Sequence, residues 1–257
     1  MGWTALALSM AMPALRVSAK DAADAARKGV ELAKKGNYVA AAEQFSEAIK
    51  ENPKAVYYSN RGKAYRAAGK LNEAETDFTK VISLDSNNAD AYSERGKVKA
   101  SQKKYDEAIE DLGKALQLDD NDLDSYRFRG FAYLSKNDFE KAIEDYSTVL
   151  KEKSDDKAAL ERRGFAYRSA KKYPEAIADF TKLVEGAPKD AEGYRRRGYA
   201  YTLKGDYAKA VADYEMILKL KPGDADAETR LKAAKAHLAS EGKGAISPSP
   251  GGSPSGR

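Results

Sequence analysis

Apolar residues along this chain recur at helical spacing, in blocks interrupted by short polar stretches. In one block Tyr194, Gly198 and Tyr201 form a stripe, Lys204–Asp206 breaks it, and Tyr207, Ala210, Val211, Tyr214, Ile217 and Leu218 form a second stripe. Residues three and four apart share one face of a helix, and a polar break holding a glycine is a turn signal. The block therefore predicts helix, turn, helix. Its centre, RGYAYTLKGDYAKAVADY at Arg197–Tyr214, returns as RGKAYRAAGKLNEAETDF at Arg61–Phe78, RGKVKASQKKYDEAIEDL at Arg95–Leu112, RGFAYLSKNDFEKAIEDY at Arg129–Tyr146 and RGFAYRSAKKYPEAIADF at Arg163–Phe180. A looser copy, KGVELAKKGNYVAAAEQF, lies at Lys28–Phe45. The leading glycines Gly29, Gly62, Gly96, Gly130, Gly164 and Gly198 are 33 residues apart once and 34 apart four times. A fixed period of this length predicts a solenoid, in which each helix pair buries its apolar face against the next pair rather than around one common core.

Small residues stand where the two helices of a copy must approach closely, Gly198 on the first and Ala210 on the second. Pro53, Pro188 and Pro222 close three of the copies, as helix stop signals do. With each leading glycine counted as position 8, the sixth copy carries Tyr194, Gly198, Tyr201, Ala210, Tyr214 and Pro222 at positions 4, 8, 11, 20, 24 and 32. That pattern resembles the tetratricopeptide repeat. Departures are few: Lys99 at position 11 and Asp120 at 32 in the third copy, Ala25 at 4 and Leu32 at 11 in the first. The resemblance implies an all-α fold, an α-solenoid wound as a right-handed superhelix. Six repeats are expected within 20–224, at about 22–54, 55–88, 89–122, 123–156, 157–190 and 191–224. After them Ala227, Leu231, Ala234 and Leu238 share one face of a segment that is otherwise polar, which predicts a capping helix over 225–241. A terminal cap needs such a polar outer side to keep the array soluble.

The two ends do not follow the period. Thr4–Leu15 is a short, mostly apolar run, and Val17-Ser18-Ala19 places small residues ahead of Lys20, so Met1–Ala19 reads as a secretory signal with its cleavage site. The alternative is an irregular N-terminal helix. On the first reading the chain is exported, periplasmic or secreted; on the second it is cytoplasmic. The run is too short to span a bilayer, and no other stretch offers a membrane span. Residues 242–257 are rich in Gly, Ser and Pro and cannot bury enough apolar area to order themselves, which predicts a disordered tail. A ligand for a proline-binding domain is the other reading of it.

Composition narrows the chemistry. Charged residues make up 33% of the chain, with 45 basic against 40 acidic residues, a small excess of five positive charges. Nucleic-acid binding requires such charges gathered on one face, and a scattered excess of solvated lysines favours no nucleic acid. The chain has no cysteine, and its one histidine, His237, stands on the expected cap without patterned carboxylates beside it. The parts of a metal site or of a Ser/His or Cys/His nucleophile are absent. Acid pairs such as Asp119-Asp120 and Asp155-Asp156 fall at turns ahead of helix starts, where the helix dipole favours them. No loop cradles a phosphate. The sequence therefore predicts no enzyme, no metal, no cofactor and no small-molecule substrate, but a scaffold for a protein or peptide.

Two sets of residues stand out within the repeats. Position 7 is Arg61, Arg95, Arg129, Arg163 and Arg197 in copies two to six, and position 23 is Asp77, Asp111, Asp145, Asp179 and Asp213 in the same copies; the first copy has Lys28 and Gln44 instead. Residue types gained and lost together are expected to pair across the two helices of one repeat. An anion-binding arginine stripe is the alternative. The second set lines the inner groove that the resemblance implies. Copies one to three present Arg27, Lys34, Asn60, Lys63, Arg66, Asp90, Glu94 and Lys97, a mixed polar lining, and copies four to six present Arg127, Phe128, Phe131, Arg162, Phe165, Arg168, Arg195, Arg196 and Tyr199. Aromatics and arginines concentrate binding energy at interfaces. Phe131, Phe165 and Tyr199, all at position 9, are expected either to form an aromatic ladder for a peptide or to fill space between helices. The carboxylate clamp with which relatives hold chaperone tails has its counterpart positions at Ala26, Val30, Asn60, Asp90 and Glu94; only Asn60 fits, which weakens a chaperone-tail adaptor.

Overall fold

A computed structural model of the chain describes residues 11–244, with side chains described over 20–240; the first ten positions of the expected leader and the tail beyond Gly244 lie outside them. Thirteen α-helices and no strands are present among the described residues. They fall into two compact units, one ending at Asn137 and one beginning at Asp138. The first unit holds α1 (Ala11–Lys34), α2 (Tyr38–Glu51), α3 (Ala55–Ala67), α4 (Leu71–Leu84), α5 (Ala89–Ser101), α6 (Tyr105–Leu118) and α7 (Leu123–Ser135). The second holds α8 (Phe139–Glu152), α9 (Lys157–Ser169), α10 (Tyr173–Gly186), α11 (Ala191–Lys204), α12 (Tyr207–Leu220) and α13 (Ala225–Gly244). Within each unit every helix packs on its neighbours in the chain, the stacking of a helix-turn-helix solenoid.

The repeat pattern explains the packing. The alanines at position 20, Ala41, Ala74, Ala108, Ala142, Ala176 and Ala210, are fully buried. The position 8 glycines let the ring or leucine at position 24 seat itself. A Cβ on Gly164 would lie 2.5 Å from Phe180 Cε1, and one on Gly96 would lie 2.6 Å from Leu112 Cγ. No side chain larger than hydrogen fits there without moving the helices apart.

Turns and caps follow the same period. Position 15, between the helices of a repeat, is always left-handed: Gly36, Gly69 and Gly205 have φ of 78°, 76° and 86°, while Lys103, Asn137 and Lys171 take 63°, 61° and 61°. Glycine adopts this conformation freely and lysine does not. Position 34 supplies the N-cap of the following helix. Asn88 accepts a hydrogen bond from the Ala91 amide at 2.9 Å, Asp156 from Ala159 at 2.8 Å and Asp224 from Ala227 at 3.0 Å. The first repeat is one residue short and lacks this position, and α3 accordingly starts from Lys54 without a side-chain cap.

The terminal helix α13 buries Ala227 and Ala234 against Tyr214 and Ile217 of α12, with Leu231 half-buried beside them. Leu238, one turn further on, is exposed. The helix continues to Gly244, three residues beyond the expected boundary at 241, because extending a formed helix costs little. No described helix is long and apolar enough to cross a membrane.

Candidate protein-interaction face

The position 7 arginines are occupied within the scaffold. Arg61 donates from Nε to Asp77 Oδ2 at 2.8 Å and from Nη2 to Oδ1 at 2.7 Å. Arg95 and Asp111, Arg163 and Asp179, and Arg197 and Asp213 repeat this two-bond geometry within 2.7–2.9 Å. Each Nη1 also donates back to a hydroxyl of the preceding repeat, on Ser46, Thr79, Ser147 or Thr181, at 2.9–3.4 Å. The bond to the aspartate raises each of these guanidiniums above its ordinary value despite the opposing effect of burial. In the third repeat Lys99 joins the pair, its Nζ 2.9 Å from Asp111 Oδ2, which is what lysine gains in place of the usual tyrosine. Arg129 lies on α7 of the first unit, 5.5 Å from the Tyr126 ring centre, and Asp145 is buried on α8 of the second.

In the first unit the residues expected to line a groove largely neutralise one another. Arg27 pairs with Asp24, Lys63 with Asp90, and Arg66 and Lys97 both with Glu94, at 2.8–3.1 Å. Arg127 holds Asp124 one turn away at 2.6 Å. Phe128 packs against Ala100, Ala108 and Leu112, with the Lys97 ammonium 5.9 Å from its ring centre, so it serves packing more than surface. Phe131 meets Tyr105 edge to face, their ring centres 6.2 Å apart.

The second unit is different. Arg162 on α9, Arg196 on α11 and Arg230 on α13 all stand at position 6, one period apart. Arg168, one turn beyond Phe165 on α9, lies 5.0 Å from the ring centres of both Phe165 and Tyr199; Arg230 lies 5.0 Å from Tyr199 on α11. Two of the three rings expected to form a ladder, Phe165 and Tyr199, lie in this unit. A guanidinium stands between Phe165 and Tyr199, because the long side chain at position 12 reaches over both rings and gains cation–π attraction from each. Burial pushes the Arg168 guanidinium down, and although Tyr199 opposes this, Arg196 and Arg230 push it further the same way. Arg168 has no carboxylate partner among the described residues. Arg196 has only Glu161, at 4.0 Å, and its Nε is buried without an acceptor.

Two other expected groove arginines are engaged within the scaffold. Arg195 is bound to Asp224 at 2.6 Å, Asp226 at 2.5 Å and Glu192 at 3.1 Å, and so ties α11 to α13. The hydrogen bonds it donates to Asp224 raise it well above the usual guanidinium value. Arg162 is exposed and acts on the buried Tyr146 hydroxyl, which burial raises against the pull of that arginine. The sequence reading missed Arg230, because it treated α13 as an end piece. The available signal was the period: Arg230 follows Arg196 at the interval that separates Arg196 from Arg162. No group of three or more metal-ligating side chains occurs among the described residues. His237 stacks on Tyr207 with ring centres 4.7 Å apart.

Family models described as TPR repeat and tetratricopeptide repeat match residues 62–103, 89–122, 129–191 and 166–225. Among solved structures the chain is similar to one titled YrrB, a TPR protein with an unusual peptide-binding site, at 25% identity and a TM-score of 0.67, covering 76% of this chain and 99% of that one. A C-terminal part of a TPR repeat-containing protein from Cytophaga hutchinsonii aligns at 24% identity and a TM-score of 0.70, over 86% of this chain and 88% of that one. A tetratricopeptide repeat protein from Parabacteroides merdae aligns at 21% identity and a TM-score of 0.65, over 88% and 90%. The comparison with curated proteins finds no match.

Proposed function

Because the chain belongs to the tetratricopeptide repeat family, we propose that it is a non-catalytic scaffold that captures a protein partner on the face formed by α9, α11 and α13. The observation that carries this reading is the column of Phe165, Arg168, Tyr199 and Arg230, which leaves a large ring exposed and the half-buried Arg168 guanidinium without a carboxylate partner among the described residues. Arginine and aromatic side chains are the usual anchors of such interfaces. YrrB is described as a TPR protein with an unusual peptide-binding site, which supports an occupant of peptide size. A chaperone-tail adaptor is disfavoured, since Asp90 and Glu94, at positions where that clamp has bases, are already paired with Lys63, Arg66 and Lys97.

The test is capture on the immobilised full chain, with the partner identified by mass spectrometry and its affinity then measured with purified protein. Phe165→Ala and Arg196→Glu should each weaken that affinity about thirtyfold, the size of an interface hot spot, with melting temperatures unchanged. Unchanged affinity in both variants would overturn the assignment of this face.

A further inference from the structure

The face on α9, α11 and α13 carries more positive charge than its neighbours neutralise. Among the described residues Arg168 has no carboxylate partner, Arg196 has one at 4.0 Å, and Arg230 holds Asp226 at 2.8 Å, which also meets Arg195. Arg168 and Arg230 both stack on Tyr199, each 5.0 Å from its ring centre. Arg168, over both rings and without a carboxylate, keeps N–H groups for two parallel bonds to one, while Arg230, whose Nε holds Asp226 at 2.8 Å, offers only its remaining N–H groups.

Resting on the reading of this face as a partner surface, we infer that it recognises an extended acidic peptide segment, with two alternate carboxylates held by Arg168 and Arg230 across Tyr199. The spacing supports this occupant. Since both guanidinium carbons lie 5.0 Å from one ring centre, they are at most about 10 Å apart. In an extended peptide alternate side chains point the same way and are about 6.6 Å apart, so Glu-x-Glu spans the pair with ordinary side-chain freedom. Phe165, 39% exposed at one end of the column, offers a flat apolar surface to a hydrophobic residue flanking the acids. Glu161, Glu192 and Asp226 stand among the arginines. They leave room for single carboxylates and disfavour a polyphosphate backbone, which would need an unbroken basic track.

The probes are two fluorescein-labelled peptides, GGFSESEGG-amide and its twin GGFSQSQGG-amide, titrated with the full chain in fluorescence anisotropy. The glutamate peptide should bind at least about tenfold more tightly than the glutamine twin, and this preference should shrink as salt rises. Arg168→Gln and Arg230→Gln should each erase most of the preference. Arg168→Lys, which keeps the charge but not the planar fork, should lose much of it too. Arg230→Gln guards against a folding defect, since this arginine is on the outer helix. Equal affinity for the two peptides, binding of neither, or a preference that survives both glutamine variants would overturn the inference. So would a thymidine oligonucleotide that displaces the acidic peptide at lower concentration. If these outcomes appear while Phe165→Ala or Arg196→Glu still weakens partner binding, the carboxylate chemistry fails alone; if neither variant has an effect, the face itself is wrongly assigned.

Discussion

Replacing Arg163 by leucine tests how the repeats hold their two helices together. Asp179 is 3% exposed, and Arg163 is its partner through bonds of 2.9 and 2.7 Å. Without the arginine a carboxylate is left in a nearly dry site, and losing one partner of such a pair costs about 3–5 kcal/mol. The third repeat provides the comparison. There Lys99 stays 2.9 Å from Asp111 after Arg95→Leu, and a bond to a charged group retains about 1.5–3 kcal/mol. Arg95→Leu should therefore cost only about 1–3 kcal/mol by the difference. Arg163→Leu combined with Asp179→Leu should cost much less than the two single changes added, because no buried charge is left behind. Urea unfolding followed by circular dichroism measures all four variants, with slopes compared first so that midpoints report stability alone. Equal costs for Arg163→Leu and Arg95→Leu, or single changes at Arg163 and Asp179 that add within about 0.5 kcal/mol, would refute the reasoning.

Two further expectations concern the turns and caps. Lys171 is left-handed at φ 61°, so Lys171→Gly should stabilise the chain by about 0.5–1 kcal/mol, net of the glycine's greater freedom when unfolded, read as a raised urea midpoint; a lowered midpoint would show that the turn carries no strain. Asp122 caps α7 and also accepts from Ser93 Oγ at 2.7 Å and Ser125 Oγ at 2.6 Å; burial pushes its carboxyl up, but the bonds from Ser125 and Ser93 outweigh that and hold it below the usual range. A lowered folded value means stability that is complete above the unfolded carboxylate range near about 4 and lost as pH falls through the folded value. Wild type should exceed Asp122→Asn by about 1–2 kcal/mol at pH 7, with the gap closing below about pH 4; a gap that stays constant to pH 2 would sink the idea.

The fold was legible because every local rule repeats at one interval. Gly164 and Phe180, or Gly96 and Leu112, meet at close range wherever the pattern places a small residue opposite a large one, so sequence spacing alone carries that geometry. The face was less legible, since its residues act across helices. Lys99 reads as a departure from the pattern until α5 and α6 are placed and its ammonium is found on Asp111. Arg195 looks available on α11 until α13 brings Asp224 and Asp226 to it. Position 9 suggests rings one above another, but the reach of Arg168 decides what lies between them, and side-chain reach leaves no trace in periodicity. Phe128 shares the spacing of the groove residues yet packs on Leu112, because a large ring beside buried alanines gains more from burial than from exposure.

The scaffold and the face draw on separate positions, and this separation bears on function. Positions 7 and 23 satisfy each other in the pairs of Arg61, Arg95, Arg163 and Arg197, while positions 8, 20 and 24 pack together in the core. Positions 6, 9 and 12 take no part in those pairs, although Phe128 at position 6 packs on Leu112. The first unit uses these positions for neutral pairs such as Arg66 with Glu94. The second sets Arg196 and Arg230 close enough to Arg168 that both disfavour its charge, on top of the burial that already does so. A structural role gives no reason for it, since a glutamate in place of any one of the three would relieve the repulsion. An anion that binds only the folded face relieves it too, and stabilises that state in proportion to its binding. Like-charged guanidiniums around one tyrosine are thus better explained by an occupant than by the scaffold.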